Sequence, residues 1–312
     1  IKAINSKIAD KEWSQPIIYQ PEIGVLALLG KIRNSRLEFL VQFKVEPGNI
    51  NHIQLSPTIQ ATKSNFENVH KGKKVEFMEL VKENNFNDLV LLDSELSEQN
   101  SKFLNKRNRN IIKIIDSNQL RSQDNFIWLT IGQIKQLALK DNLINMDLRS
   151  VISGLSFFND EVEYNSLNKE NTIINRNLYN YELLKFNRKD ISKLKYRLSK
   201  FIERKKRFRS FISFHELKSW SVQKGIIFPN DKNYFRVIGA KIDVLGREVK
   251  SWQQPLFKSD VSSHNALFYY KDLDSIKLLV QFKIECGSYE IAEIAPTIQT
   301  NNYNIKNSNE KY

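Results

Sequence analysis

The sequence predicts an α/β protein with a mixed sheet, built from one module that is present twice and joined by helices. Three observations support this prediction. Segments in which apolar and polar residues alternate indicate strands. Segments with apolar residues every three or four positions indicate amphipathic helices. A block near the start of the chain recurs 239 residues later. Because the spacing of that recurrence is constant, we infer that a whole module has been duplicated.

The composition is that of a globular protein. Of its 312 residues, 41% are apolar and 11% aromatic, which suffices for a buried core and excludes a disordered or collagen-like chain. The single Cys cannot form an internal disulfide, so we expect a reducing, cytoplasmic location. No apolar run approaches the ~20 residues of a membrane helix, and we expect no membrane association.

Three motifs carry the repeat, and each returns at the same spacing. The matching pairs are Trp13–Pro16 with Trp252–Pro255, 40–48 with 279–287, and Pro57–Gln60 with Pro296–Gln299. Of the 21 positions from 40 to 60, 11 are identical in the two copies. Because the chain starts without Met in a strand-like segment, we expect both modules to be incomplete. The first would lack its N-terminal strand and the second its C-terminal part.

The copies and the charge distribution define the predicted domains. We place the first module at 1–158, a basic helical connector at 159–214 and the second module at 215–312. The connector carries 12 Lys and Arg residues between 185 and 209 against two acidic ones. Its apolar residues recur at helical spacing, so a long helix or helix pair with a basic outer face is predicted over Tyr179–Phe214. The net charge of +13 leaves nucleic-acid binding as a weaker alternative to a solvated helix.

The repeated strand Arg36–Val45 is the first candidate site element. One face carries its apolar residues Leu37, Phe39, Val41, Phe43 and Val45. The other face and the following turn carry Gln42, Lys44, Glu46, Pro47, Gly48 and Asn49. The second copy keeps the same polar types as Gln281, Lys283 and Glu285. A merely solvated face would not need to repeat them, so we favour a site-lining strand over an ordinary half-exposed one.

Three further elements follow along the chain. Ile131–Leu143 has apolar residues at helical spacing and is predicted to be a helix, followed by a polar stretch, Asn142–Arg149. The predicted connector comes next. The second module then opens with Trp220 and a predicted strand, Tyr234–Val244, which leads into a turn at Gly246.

Five motifs, in order along nearly the whole chain, resemble the NDP-hexose 2,3-dehydratase family. They are WSQPIIYQPEIG at 13–24, QFKVEPGN at 42–49, QLSPTIQATKSN at 54–65, LNKRNRN at 104–110 and NMDLR at 145–149. Members of that family consist of two tandem modules of Nudix-like fold and bind a TDP-linked 4-keto-6-deoxyhexose. The resemblance implies that no metal and no cofactor is needed. It also implies that one module is catalytic and that the other holds a further, non-catalytic sugar-nucleotide site.

The resemblance implies a lyase of deoxysugar biosynthesis. It would remove water across C2–C3 of the sugar and give a 2,6-dideoxy-3,4-diketo sugar nucleotide. A non-catalytic sugar-nucleotide binding protein is the alternative. Nudix-type hydrolysis is a weaker one, because a fold does not carry its chemistry with it. The hydrolase motif needs further glutamates after an Arg-Glu pair, and Arg247-Glu248 is followed by Val, Lys and Ser.

The implied reaction assigns roles to the matched residues. Lys44 and Lys283 are expected to contact the diphosphate or the enolate. Glu46 or Glu285 is the base, or else pairs with the neighbouring Lys. Trp220 stacks on thymine or else packs in the core. The remaining expected substrate contacts are Gln42, Pro47, Gly48, Asn49, Gln60, Thr62, Asn65, Ser97, Glu98, Gln99, Ser101, Arg107, Arg109, Asn145, Asp147, Arg149, Gln281, Gln299, Thr300 and Asn301.

Other chemistry has little support in the sequence. The four histidines, His52, His70, His215 and His264, have no metal-ligand spacing and are predicted to be surface or loop residues. Cys286 stands where the first copy has Pro47, so we do not expect it to be a nucleophile. We expect a homodimer, and the sequence leaves open which module is catalytic.

Overall fold

A computed structural model describes residues 1–67, 73–83, 88–115, 118, 120–121, 123–155, 188–230, 234–244, 249–259, 262–271 and 276–301. Several predicted features lie outside these residues. They are the first part of the connector up to 187, His70, the turn at Gly246, the Arg247-Glu248 pair, the side chain of Asn301 and the chain from 302 onward.

The strands are numbered in chain order. The N-terminal ones are β1 (Lys2–Ile8), β2 (Lys11–Tyr19), β3 (Gly24–Arg33), β4 (Arg36–Val45), β5 (Ile53–Ser56), β6 (Ile59–Ala61), β7 (Leu89–Ser97), β8 (Phe103–Leu104), β9 (Arg107–Ile114) and β10 (Phe126–Thr130). The C-terminal ones are β11 (Arg207–Ile212), β12 (Trp220–Gln223), β13 (Ile226–Pro229), β14 (Arg236–Asp243), β15 (Ser251–Lys258), β16 (Ser263–Ala266), β17 (Phe268–Lys271), β18 (Ile276–Lys283), β19 (Glu293–Pro296) and β20 (Ile298–Asn301).

In the described part of the chain the helices are fewer than the strands, and the longest ones lie between β10 and β11. The helices are α1 (Lys63–Phe66), α2 (Met78–Lys82), α3 (Ile131–Ala138), α4 (Met146–Ser153) and α5 (Arg188–Lys205), with a 3₁₀ turn at Phe214–Glu216. Within the described residues, none of them combines the length and the apolar character that a membrane crossing requires.

The sheets confirm the mixed α/β class. The central sheet has the order β10-β4-β3-β9-β7, with β5 added beside β4 and β6 beside β3. Its β3–β9 pair is parallel and its other pairs are antiparallel. A second sheet has the order β11-β1-β2-β8. The C-terminal strands form the sheets β12-β13-β14-β15, β17-β18-β19 and β16-β20.

The central sheet is covered on both faces. Alternate residues of β3 contribute to two separate clusters, Val25, Ala27 and Leu29 to one and Leu26 and Leu28 to the other. The first cluster is completed by α2 and the segment before it, and the second by α3 and α4. Burial on both faces explains why β3 is a nearly continuous apolar run rather than an alternating one.

The predicted strand Arg36–Val45 is confirmed, but its two faces differ from the expectation. Phe39, Leu40 and Val41 are all fully buried, because both sides of the sheet are covered. Toward the end of the strand the pattern is inverted. Phe43 is 44% exposed, whereas the Lys44 side chain lies inside and the residue is only 6% exposed. A buried lysine at this position is the first structural indication of a site.

The helix predicted from Ile131 is confirmed in its first part and ends earlier, at Ala138. It begins with a capping box in which Thr130 and Gln133 bond reciprocally. The polar stretch predicted to follow contains the start of another helix, α4. Asn145 caps it through Oδ1, which accepts a hydrogen bond from the Leu148 amide at 2.8 Å. Cap residues are polar, which is why this helix start resembles a loop in the sequence.

The predicted helix through Phe214 is wrong at its C-terminal end. Helix α5 ends at Lys205, and Arg207–Ile212 is a strand that pairs with β1. The alternation in RFRSFI fits a strand, and the edge of β1 supplies its hydrogen-bond partner. Arg207 and Arg209 therefore do not belong to a basic helix face. Their guanidinium groups each donate to the Ser288 carbonyl, at 2.8 and 3.2 Å.

Contacts recur at the spacing of the sequence repeat. Lys44 Nζ donates to the Gln60 carbonyl, and Lys283 Nζ to the Gln299 carbonyl, at 2.9 and 3.4 Å. Two other hydrogen bonds recur in the same way. The Trp13 side chain donates to Gln15, as Trp252 does to Gln254. The Thr58 hydroxyl donates to the Leu40 carbonyl, as Thr297 does to the Leu279 carbonyl. The registers of β4–β5 and β18–β19 also match residue by residue.

The two copies differ in how much of their sheet is covered. Leu40 and Val41 are fully buried, but their counterparts Leu279 and Val280 are 59% and 44% exposed. The turn after the strand shows the opposite difference. Gly48 has no heavy atom within 4 Å of a position where a Cβ would stand, whereas Gly287 is in close contact with residues 100–105. The turn of the second copy therefore serves as a docking element.

Replacing Gly287 with Ala is expected to lower the free energy of unfolding by about 2–3 kcal/mol, as overpacking does. An added Cβ would lie 1.9 Å from the Phe103 carbonyl oxygen and 2.3 Å from that of Asn100, and neither backbone can yield easily. Urea unfolding measures the change. Gly48→Ala is the matched control and should stay within about 0.5 kcal/mol of the wild type. Equal stability of both variants would contradict the docked turn.

Candidate active site

A polar cavity of about 150 Å³ opens at one edge of the central sheet. It lies where β3 begins, β4 ends and α4 begins. Its lining residues are Gln20, Gly24, Leu26, Glu46, Gln60, Ala61, Thr62, Asn65, Glu98, Phe103, Lys106, Asn108 and Asp147. We call it the central cavity. Six of these residues were predicted from the sequence: Glu46, Gln60, Thr62, Asn65, Glu98 and Asp147.

Gly24 lets the backbone approach its neighbours closely at the mouth of the cavity. A Cβ at this position would lie 2.6 Å from Asn108 Oδ1 and 3.2 Å from the Ala61 carbonyl oxygen. A larger residue would push the Asn108 side chain out of place. Asn108 matters because its Nδ2 donates to Glu98 Oε2 at 2.6 Å and so orients that carboxylate.

A chain of hydrogen bonds joins the end of β4 to the start of α4. Lys44 Nζ donates to the Gln60 carbonyl at 2.9 Å, and Gln60 Nε2 donates to Glu46 Oε1 at 3.5 Å. Asn145 Nδ2 in turn donates to Gln60 Oε1 at 2.8 Å. Gln60 therefore holds the strand residues and the helix cap in one arrangement, and Asp147 follows two positions after the cap.

Asp147 has the most perturbed carboxyl group of the cavity. Burial raises its pKa from 3.8 to about 7. The negative charges of Glu98 and Glu46 are part of this rise, while Lys44 and Lys106 act in the opposite direction. A carboxyl group that titrates near neutral pH can both give and accept a proton under physiological conditions, as acid–base catalysis requires.

Lys106 is a site residue that the sequence analysis missed. It is almost fully buried, and its Nζ donates to the Glu22 carbonyl at 2.7 Å. Burial lowers the pKa of its ammonium group, and the charges of Glu98, Glu22 and Asp147 act in the opposite direction. Its neighbours Arg107 and Arg109 were predicted instead, because a run of basic residues does not show which side chain points inward.

Strand alternation separates those neighbours from the cavity. Arg107 pairs with Glu95 at 2.6 Å and Arg109 with Asp93 at 2.6 Å, both on the outer face of β7 and β9. Asn108 and Asn110 alternate with them and are buried, as Lys106 is. The period of two along KRNRN was the signal that could have identified Lys106.

A second cavity of about 370 Å³ adjoins the first through Gln60. Its lining residues are Gln42, Lys44, Thr58, Ile59, Gln60, Lys73, Lys74, Val75, Glu76, Asp124, Asn125 and Phe126. We call it the lysine cavity, because Lys44, Lys73 and Lys74 contribute three positive charges to it. Gln42 lies here and not in the central cavity.

The other predicted contacts of the first copy lie around the central cavity without lining it. Asn49 closes the turn after β4, where its amide donates to the Glu46 carbonyl at 3.0 Å. Gln99 Nε2 contacts Met146 Sδ at 3.2 Å, and the Ser101 carbonyl accepts from Gln15. Arg149 is exposed on α4. Pro47 and Gly48 are part of the same turn, Asn145 acts through Gln60, and Ser97 contacts the second copy.

Trp220 packs between the two copies. Its Nε1 donates to the Ser14 carbonyl at 2.8 Å, and its ring lies 5.1 Å from that of Phe235 and 5.8 Å from that of Tyr234, centroid to centroid. These contacts agree with the core-packing alternative, and stacking on thymine stays a prediction.

The counterpart site in the second copy is arranged differently. Lys283 Nζ pairs with Glu285 Oε1 at 2.9 Å and donates to Gln299 Oε1 at 2.7 Å. Gln281 Nε2 donates to the Pro296 carbonyl at 2.9 Å. Thr300 pairs with His264 on β20 and β16, so this histidine belongs to a strand. Glu285 thus forms the expected ion pair with its neighbouring lysine, and its role as the base stays a prediction.

Cys286 is a buried thiol in the docked turn. Burial, together with the negative charge of Glu285, raises its pKa to about 12. Its Sγ lies 3.8 Å from the Asn100 carbonyl oxygen. A thiol that stays protonated is a poor nucleophile. Among the described residues, no group of three or more His, Cys, Asp or Glu side chains is placed to hold a metal ion.

The fold and the site define a mixed α/β protein with a buried acid–base cluster of carboxylates, a lysine and amides. A model of the NDP-hexose 2,3-dehydratase family matches residues 1–155 and 196–312. The chain belongs to this family.

Three curated relatives are named dTDP-4-dehydro-6-deoxy-alpha-D-glucopyranose 2,3-dehydratase. The one from Streptomyces violaceoruber is 34% identical over 296 residues, covering 94% of this chain and 63% of the relative. The one from Amycolatopsis orientalis is 35% identical, covering 93% of this chain and 56% of the relative. The one from Saccharopolyspora spinosa is 33% identical, covering 97% of this chain and 62% of the relative. The chain thus spans 56% to 63% of the length of these relatives.

Proposed function

We propose that the protein is a carbon–oxygen lyase that removes water across C2–C3 of a dTDP-4-keto-6-deoxyhexose in deoxysugar biosynthesis. The observation that carries the proposal is the raised pKa of the Asp147 carboxyl group in the central cavity. This carboxyl group has a pKa of about 7 and shares the central cavity with Lys106, Glu98 and Glu46. Family membership and the names of the relatives support the choice of substrate.

The elimination assigns one task to each group. The C4 ketone acidifies the C3 proton, which the Glu46 carboxylate accepts. The electron pair of the C3–H bond moves toward C4, and the resulting negative charge on the C4 oxygen is stabilised by the Lys106 ammonium. Asp147 donates its proton to the C2 hydroxyl, which leaves as water. The C4 carbonyl re-forms as the C2–O bond breaks, which leaves an enol between C2 and C3. This enol takes a proton at C2, releases the proton of its C3 hydroxyl and becomes the 3,4-diketone.

The lysine cavity is the proposed site of the diphosphate. Phosphate oxygens are acceptors that carry charge, and lysine ammonium groups are strong donors to them. Gln60 lines both this cavity and the central cavity, so a nucleotide held here would place its sugar on the side of Glu46 and Asp147. Gln42 and Asn125 add polar groups to the same wall.

The double substitution Lys73→Ala with Lys74→Ala is expected to weaken dTDP binding by about 10- to 100-fold, the effect of losing charge-assisted hydrogen bonds. Isothermal calorimetry measures the affinity at two salt concentrations. The control is Lys193→Ala with Lys195→Ala, which removes the same charge from the exposed face of α5. If both double variants bind dTDP equally well, the diphosphate does not lie in the lysine cavity.

We further propose that catalysis takes place in the first copy. Glu285 is held in an ion pair and its turn is docked, whereas the turn beside Glu46 is open at Gly48. The recurring contacts support two duplicated modules, and the family resemblance supports a Nudix-like fold for each. The boundaries 1–158 and 215–312 are part of this proposal. The strand β11, however, belongs to the first set of sheets.

A homodimer and a cytoplasmic location complete the proposal. The lone cysteine, buried as a thiol, agrees with a reducing compartment. The homodimer is an expectation from the sequence, and sedimentation equilibrium tests it.

Turnover is the direct test of the lyase. The protein is incubated with dTDP-4-keto-6-deoxyglucose, and NMR follows the loss of the C2 hydroxyl. Formation of the 3,4-diketone without added metal or nicotinamide supports the proposal. Tight dTDP binding without any turnover would favour the non-catalytic binding protein instead.

A further inference from the structure

The connection from β7 to β9 carries three residues of the central cavity. Glu98, Phe103 and Lys106 all lie on it, and the Glu98 amide donates to the Lys106 carbonyl at 3.1 Å. The relative position of these two charged groups determines the field at Asp147, because both act on its pKa. We call residues 97–107 the site connection.

Residues 285–293 of the second copy hold both ends of the site connection. The Gly287 amide donates to the Asn100 carbonyl at 2.8 Å, and the Gly287 carbonyl accepts from the Asn105 amide at 2.7 Å. Glu293 Oε2 accepts from Ser97 Oγ at 2.9 Å and from Asn100 Nδ2 at 2.8 Å. These two donors lie on either side of Glu98 in the chain.

The backbone of the site connection is strained and needs such support. Gln99 has a φ of 38° and Asn105 a φ of 56°, both in the left-handed region that residues with a Cβ rarely adopt. Conformations of this kind persist only where the surroundings hold them. Asn105 is held by Gly287 and by Arg209, whose Nη2 donates to Asn105 Oδ1 at 2.8 Å. On either side of Gln99, the side chains of Ser97 and Asn100 donate hydrogen bonds to Glu293.

We propose that Glu293 is a positioning residue for the central cavity. It touches none of the reacting groups and acts through Ser97 and Asn100, which fix Glu98 opposite Asp147. The repeat adds a second argument, because the position equivalent to Glu293 in the first copy is Gln54, whose side chain donates to nearby Asn51. At this position of the repeat, the carboxylate therefore belongs to the second copy, whose turn docks on the site connection. This inference rests on the proposed function for its effect on catalysis.

Three variants test the proposal. Glu293→Ala removes the acceptor of both bonds. Glu293→Gln keeps an amide oxygen that can accept both. Glu290→Ala is the matched control, since Glu290 is an exposed carboxylate of the same segment and its removal changes the charge equally. Hydrogen exchange of the backbone amides of the site connection and the separate values of kcat and KM are measured for each.

We expect Glu293→Ala to speed amide exchange in 98–106 by about 10-fold, the consequence of losing ordinary hydrogen bonds. We expect its kcat to fall by about 10- to 100-fold with KM little changed, because small displacements of catalytic groups lower the rate by this much. Glu293→Gln should recover both quantities, and Glu290→Ala should match the wild type. If Glu293→Ala behaves like Glu290→Ala, or if Glu293→Gln is as impaired as Glu293→Ala, the proposal is wrong.

The exchange measurement separates this inference from the proposed function. If the wild-type protein does not turn over the dTDP sugar, the proposed lyase fails. Faster exchange in Glu293→Ala alone would then still support Glu293 as the residue that holds the site connection. Unchanged exchange would overturn that role whatever the activity.

Discussion

Replacing Asp147 with Asn is expected to lower kcat for 2,3-dehydration by about 10³-fold, within the range that general acid catalysis contributes. Asparagine fills the same space beside Lys106 and can still accept hydrogen bonds from the cavity. It cannot donate an acidic proton to the leaving C2 hydroxyl. The measurement is steady-state turnover of dTDP-4-keto-6-deoxyglucose at pH 7, with dTDP affinity as a check that the cavity is intact.

The same substitution is expected to stabilise the protein at neutral pH. In the folded protein the Asp147 pKa is about 7, above its ordinary value of 3.8, so the folded state retains a proton that the unfolded state has lost. Stability therefore falls as the pH rises from about 4 to 7. Asp147→Asn should remove this part of the pH dependence and raise the free energy of unfolding at pH 7.5 by about 2 kcal/mol.

Stability and activity of Asp147→Asn together test the environment assigned to this residue. A variant that loses activity and stability at once would indicate a structural role for the carboxylate. A variant that keeps full activity would exclude Asp147 as the acid. Only loss of turnover in a protein at least as stable as the wild type agrees with a buried catalytic acid.

Replacing Glu46 with Gln is also expected to have a large effect. We expect kcat to fall by about 10³-fold or more. A neutral amide cannot accept the C3 proton. Its counterpart Glu285→Gln is the matched control, because the repeat gives both residues the same place after the same strand. Glu285 is paired with Lys283 beside a docked turn, so this variant should keep kcat within about 3-fold, the scatter of substitutions outside an active site.

The two variants decide which copy is catalytic. Steady-state kinetics with dTDP-4-keto-6-deoxyglucose measures kcat for both. If Glu285→Gln is the inactive one, catalysis belongs to the second copy. If both are fully active, neither glutamate is the base.

The strand and the repeat could be predicted because both are local signals. Alternation over Arg36–Val45 identified β4, and the constant spacing identified the second copy. The same reasoning missed that Lys44 is buried, because coverage of both sheet faces depends on helices far along the chain. It also extended a helix through Arg207–Ile212, because the run of basic residues outweighed a short alternation whose partner, β1, lies 200 residues earlier.

The site was predictable in its residue types and less so in its roles. Asp147 lies in a recognisable motif, but the rise of its pKa depends on Glu98 and Glu46, which come from separate segments. Lys106 was hidden between an asparagine and an arginine in LNKRNRN. The docking of Gly287 and Glu293 could not be anticipated, because the repeat aligns them with Gly48 and Gln54, which make other contacts.

Exchange of the C3 proton of the substrate tests the central claim most directly. dTDP-4-keto-6-deoxyglucose is incubated in D₂O with the wild type, Asp147→Asn and Glu46→Gln. NMR follows the C3 proton and the C2 carbon, whose resonance reports whether the hydroxyl group is still attached. The proposed roles predict that the wild type eliminates water. They also predict that Asp147→Asn exchanges the C3 proton for deuterium but does not eliminate water. Glu46→Gln should do neither. Rapid C3 exchange by Glu46→Gln, or no elimination by the wild type, would contradict the assignment of the first-copy cavity as a 2,3-dehydratase site.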